Sequence, residues 1–180
     1  MKNIADFQLE SKPGKDLVAK YESVLPAQLL QLWQEYGLGT MVDGYLKIVN
    51  PDDYAEVLEE AYKSVYKNPV VMFTTGMSDL IVWENNYTIL LNLRYGISKV
   101  IESGFQYFLE DVYDMDFISE ELKGENYFKA KQRLGEIAYD ACFGYVPLLG
   151  LGGAEKVENL QKVKIKEHIS IIAQAMGKIE

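Results

Sequence analysis

Cysteine, histidine and proline are scarce in this sequence of 180 residues, which contains one Cys, one His and five Pro. One cysteine forms no disulfide within the chain, and one Cys with one His cannot make a structural zinc site. The longest apolar stretches, such as Val70–Phe73 and Tyr145–Leu149, are too short to span a bilayer. The first ten residues lack an apolar core of signal-peptide length. We therefore expect a cytoplasmic protein without a structural metal or cofactor.

Positive charge is in the minority, since 18 Lys and Arg face 27 Asp and Glu and give a formal net charge of -9. Nucleic acids and anionic lipids are polyanions, so neither is an expected partner. A basic protein would be attracted instead. Solubility alone is an equally good reason for the acidity. Composition is otherwise ordinary for a globular chain, with 48% hydrophobic residues.

The hydrophobic pattern predicts an α+β fold: an antiparallel meander flanked by helices, followed by a mostly helical C-terminal region. β-prone runs between residues 70 and 101 alternate with turns such as Asn85-Asn86, and short turns join antiparallel strands. Asn50 and Pro51 indicate a helix start. Tyr145–Leu149 is expected to be a short strand or an extended segment, and a last helix over 164–176 should bury Ile165, Ile169, Ile172 and Met176. A division near residue 102 separates predicted regions 1–102 and 103–180, packed together as one unit.

Two groups of acidic residues avoid the apolar stripes of their helices and should face water. Either group could dock a basic partner. The spacing in the second group is not that of an EF-hand, so no metal site is expected there. The groups are Glu56, Glu59 and Glu60, and Asp111, Asp114, Asp116, Glu120 and Glu121.

A catalytic reading of the sequence would pair His168 as base with Cys142 as nucleophile. His168 lies between Ile165 and Ile172 on an apolar helix face, which favours a core or interface histidine. The glycine-rich segment at 150–153 lacks the Lys-Ser/Thr of a phosphate-binding loop. We therefore predict no catalytic residue and no enzyme.

The segment CFGYVPLLGLGG at 142–153, followed by KVKIKEH at 162–168, resembles the immunity proteins of type VI secretion DNase effectors. That family combines a GAD-like N-terminal region with a C-terminal immunity domain. The N-terminal half is also similar in style to SUKH immunity proteins, through the Trp33 helix that ends at Tyr36-Gly37 and the helix start at Asn50. The motif residues that should shape the fold are Gly144, Tyr145, Pro147, Gly152, Gly153 and His168.

The resemblance implies an antitoxin that binds a cognate toxin, a basic DNase, and blocks it. Nucleases carry basic surfaces that hold phosphate backbones, and an acidic protein can imitate that polyanion. The two acidic groups are then the candidate toxin-binding residues. The sequence leaves open a ligand-binding protein or enzyme with a cleft near residues 150–153, and a regulatory adaptor of the SUKH type. It does not indicate an oligomeric state.

Overall fold

The structure, a computed structural model, describes residues 4–180; residues 1–3, with which the first predicted region begins, lie outside the described residues. Seven strands form an antiparallel meander in which each strand pairs with the next along the chain. A separate hairpin follows it. The sheet strands are β1 (Gln8–Ser11), β2 (Leu38–Met41), β3 (Leu46–Ile48), β4 (Val70–Thr75), β5 (Leu80–Glu84), β6 (Tyr87–Asn92) and β7 (Ile97–Ser103), and the hairpin is β8 (Ala141–Tyr145) with β9 (Leu160–Lys164).

Helices cover both faces of this sheet, which confirms the expected α+β class. Seven α-helices lie within residues 4–180, and three short 3-10 helices, at Pro51–Tyr54, Leu149–Leu151 and Val157–Asn159, lie between other elements. The α-helices are α1 (Lys15–Tyr21), α2 (Ala27–Glu35), α3 (Ala55–Ala61), α4 (Phe108–Asp111), α5 (Met115–Glu120), α6 (Glu125–Leu134) and α7 (Ile165–Met176).

Strand alternation divides the interior into two apolar cores. In β6, Leu90 points into one core and its neighbours Ile89 and Leu91 point into the other. The first core lies under α1, α2 and α4–α6, and the second lies under α3 and α7. Helices from beyond residue 102 therefore cover both faces, while the division of the chain at that position stays a prediction.

The hairpin lies between the two cores. Phe143 and Tyr145 in β8 belong to the first core, and Cys142 belongs to the second. The backbone N–H of Phe143 donates to the carbonyl of Gly76 in the β4–β5 turn at 2.7 Å. The hairpin therefore packs against the sheet at the β4–β5 turn and contributes side chains to the cores on both faces of the sheet.

Two local expectations are wrong in part or in full. Of the two alternatives for Tyr145–Leu149, the strand is wrong, because β8 ends at Tyr145 and the next peptide bond, Val146–Pro147, is cis. The strand comes earlier, where Ala141–Tyr145 pairs with Leu160–Lys164. Met176 was expected to face the core, yet it is 39% exposed because α7 ends there, at the rim of the second core.

Candidate functional site

A groove runs between α3 and α7 on the outer side of the second core. It consists of two adjoining depressions of about 550 Å³ and about 440 Å³. Both are lined by Glu56 and Glu60 from α3 and by Gln174 from α7. The sequence indicated that these glutamates face solvent, but it did not indicate that α7 would turn their surface into a groove.

The helical period places the carboxylates in the groove. Val57, Leu58 and Ala61 of α3 pack into the second core, so Glu56, Glu59 and Glu60 point outward. α7 likewise buries one face and exposes the other. Across the groove, the Ser170 hydroxyl donates a hydrogen bond to Glu60 Oε2 at 2.6 Å.

Negative charge dominates the groove. Five carboxylates line it and only two lysines do. Of the lysines, Lys166 lies with its Nζ 5.8 Å from the centre of the Tyr54 ring. No three Asp, Glu, His or Cys side chains within residues 4–180 form a group suited to a metal ion. The arrangement suits the attraction of an extended cationic surface. The carboxylates are Asp53, Glu56, Glu59, Glu60 and Glu167, and the second lysine is Lys178.

The second acidic group lies on α4 and α5, over the first core. Asp111, Asp114, Asp116 and Glu120 are exposed, and Glu121 is half-buried in an ion pair with Lys99. The Asp114 carboxylate accepts the backbone N–H of Asp116 at 2.9 Å and so caps α5. These carboxylates therefore partly serve the local fold.

Crowding of like charges marks this second group. Partial desolvation, then the negative charges of Glu102, Glu110 and Asp114, raise the pKa of Asp111. The structure places the two acidic groups on opposite faces of the sheet, since α3 packs on one core and α4–α5 on the other. One flat contact surface cannot cover both groups.

The residues of the motif at 142–153 make close packing contacts within the fold. A Cβ on Gly144 would collide with the His168 imidazole, so the glycine makes room for that ring. A Cβ on Gly153 would collide with the carbonyl oxygen of Pro147, and Gly152 has a φ of +85°, which favours glycine. The Tyr145 hydroxyl accepts a hydrogen bond from Asn126 at 2.8 Å.

Burial disfavours the reactive thiolate form of Cys142, the nucleophile of the hypothetical Cys–His pair. Burial raises the pKa of the Cys142 thiol to about 12, and burial lowers the pKa of His168. Nucleophilic catalysis by cysteine needs a thiolate, commonly beside a protonated histidine. The buried thiol thus offers no support for the catalytic alternative.

Two of the buried charged groups that the sequence did not reveal connect separate elements of the fold. Lys47 in β3 is fully buried, and its Nζ donates to the carbonyls of Ala138 and Tyr139 at 3.0 Å each and to that of Ala141. Burial lowers the pKa of Lys47 to about 8. This ammonium holds the start of β8 against the meander. In the sequence, its only signal is a lysine within the otherwise apolar run YLKIV at 45–49.

The other group is the buried ion pair of Asp79 and Arg94. Arg94 Nη2 donates to Asp79 Oδ2 at 2.6 Å, and both side chains are almost wholly enclosed. The guanidinium also donates to the carbonyls of Leu122 and Lys123, which follow α5. The pair therefore connects the β4–β5 and β6–β7 turns to the helical layer that carries the second acidic group.

Comparison with known proteins agrees with this arrangement. The model of the GAD-like domain matches residues 2–95, more than half of the chain. The model described as T6SS immunity protein Tdi1, C-terminal, matches residues 102–176. The chain is thus a GAD-like protein with an immunity region, and it belongs to the type VI secretion immunity family.

A solved structure shares the fold. The crystal structure of Atu4351 from Agrobacterium tumefaciens superposes with a TM-score of 0.76 at 22% sequence identity, covering 94% of this chain and 86% of that one. No curated protein matches. No helix within residues 4–180 has the length and apolar character to cross a membrane. Membership of the family implies that the chain binds a cognate toxin.

Proposed function

We propose that this immunity protein neutralises a nuclease toxin by holding a basic surface of the toxin in the α3–α7 groove. One observation carries the proposal: five carboxylates against two lysines line a concave surface built on two helices. A nuclease needs basic surface to hold the phosphate backbone, so its own substrate site is complementary to such a groove.

Charge and shape have separate roles in this mechanism. The net charge of -9 draws a basic toxin toward the protein and raises the rate of encounter. Carboxylates fixed on α3 and α7 then occupy the positions of the phosphates, so the toxin cannot bind its nucleic acid. The residence time depends on packed, desolvated contacts rather than on exposed charges.

The test uses the product of the gene beside the one that encodes this chain. We expect that product to be toxic, to co-purify with the full chain, and to cleave DNA. Addition of the chain should stop cleavage in a saturable manner, with faster inhibition at low salt than at high salt. A complex with a toxin that has no nuclease activity would overturn the nuclease assignment, and the absence of any complex would overturn toxin binding by this pair.

A further inference from the structure

A separate pocket of about 270 Å³ opens where the α3–α7 groove reaches the end of α7. Its floor is apolar and buried, formed by Ala61 and Leu93 from the GAD-like segment and Ile172 from α7. Ala173 and Lys178 line both the pocket and the groove, so the two are continuous. The pocket depends on the packing of the two family segments against each other.

The chain after α7 fixes one side of this pocket. Gly177, with a φ of +83°, ends the helix and redirects the backbone. The N–H of Ile179 then donates to the carbonyl of Ala61 at 2.9 Å, and the N–H of Lys63 donates to the carbonyl of Ile179 at 2.8 Å. Backbone hydrogen bonds on both sides of Ile179 hold this side of the pocket to the end of α3.

The remaining walls include the Tyr95 ring and the Met176 thioether, and the charged residues Lys178 and Glu180 lie at the pocket as well. Tyr95 is held by a hydrogen bond from its hydroxyl to Glu155. Met176 lies over Gly150, where a Cβ would collide with the methionine side chain, and is 39% exposed. Methionine is flexible and adapts its shape to what it packs against. One fixed wall and one adaptable wall suit a bulky side chain entering from outside.

We propose that this pocket takes a single large apolar side chain of the toxin, which is followed by basic residues that lie in the groove. The inference rests on the proposed function. Charge complementarity and the continuity of the pocket with the acidic groove specify the occupant: an apolar anchor next to cationic residues. Interfaces concentrate their binding energy in such anchors, which fill desolvated pockets within a polar surround.

Filling the mouth of the pocket tests this directly. Ala173→Leu places a branched side chain where the pocket meets the groove, and Ala175→Leu is the matched control on the exposed side of the same helix. The probe is the full chain with the neighbouring gene's toxin, inactivated by substitution. We expect Ala173→Leu to raise the dissociation rate at least about tenfold, the loss typical of an interface anchor, with an unchanged association rate.

A second variant distinguishes loss of binding from misfolding caused by Ala173→Leu. Met176→Lys places a cation at the partly exposed wall and should also speed dissociation, with a melting temperature near that of the parent. Equal dissociation rates for Ala173→Leu, Ala175→Leu, Met176→Lys and the parent would overturn the anchor pocket while leaving toxin binding intact. A parent chain that does not bind the toxin would overturn both proposals.

Discussion

The α3–α7 groove and the α4–α5 surface carry charge of the same sign, but their carboxylates differ in what they already contact. On α4–α5, Asp114 caps a helix and Glu121 pairs with Lys99. In the groove, the carboxylates of Glu56 and Glu59 make no hydrogen bond or ion pair within residues 4–180, and that of Glu60 accepts a hydrogen bond from Ser170. The side chains of Asp111, Asp116 and Glu120 likewise make no hydrogen bond or ion pair within residues 4–180. The two surfaces therefore differ mainly in shape: the groove is concave between two helices, whereas the α4–α5 carboxylates lie on a surface that is partly used to cap and hold its own helices.

The largest expected effect on stability comes from the Asp79–Arg94 ion pair, which holds the chain that follows α5. Arg94→Met leaves Asp79 buried without its counter-charge and should lower the free energy of unfolding by about 3–5 kcal/mol. Chemical denaturation measures the loss. Hydrogen exchange should quicken more over 108–124 than over α3, because Arg94 holds the carbonyls of Leu122 and Lys123.

The control for this loss removes both charges. In Asp79→Asn with Arg94→Met, no unpaired charge remains buried, so part of the lost stability should return. If hydrogen exchange quickened equally in α3 and over 108–124, the two regions would unfold as one cooperative unit. Arg94 would then not stabilise the α4–α5 region in particular.

A smaller difference in stability is expected between substitutions of single carboxylates in the two regions. Asp114→Ala removes the cap of α5 and should cost about 1 kcal/mol of stability. Glu56→Ala, on an exposed helix position without a partner, should stay within about 0.5 kcal/mol of the parent. Thermal unfolding of the two variants side by side checks this. A cost for Glu56→Ala as large as that for Asp114→Ala would contradict the division of roles.

Local rules were sufficient to predict much of this fold. The meander from β4 to β7 follows from β-prone runs separated by turn residues, and Asn85 and Asn86 adopt the positive φ that such hairpins need. The Asn50 side chain accepts the N–H of Asp52, as its position before Pro51 predicted. The apolar period of α7 also predicted the burial of His168.

Features set by distant residues could not be predicted in this way. β1 is exposed along its whole length and shows no alternation, and β2 contains Gly39, on which a Cβ would collide with the carbonyl oxygen of Gln8. Lys47 is buried only because three carbonyls from 138–141 surround its Nζ. The groove itself needs α3 and α7, which are far apart in the sequence, so the acidic residues of α3 were predicted as a surface and not as a concave site.

The most direct test compares charge reversals of equal size in the two regions. One variant carries Glu56→Lys, Glu59→Lys and Glu60→Lys; the other carries Asp111→Lys, Asp116→Lys and Glu120→Lys and retains the Asp114 cap. Both change the net charge equally, so a difference between them reports position. With the neighbouring gene's inactivated toxin at low salt, the groove variant should associate at least about tenfold more slowly than the α4–α5 variant, and the gap should shrink at high salt. Equal association rates, or a slower α4–α5 variant, would contradict the assignment of toxin binding to the groove.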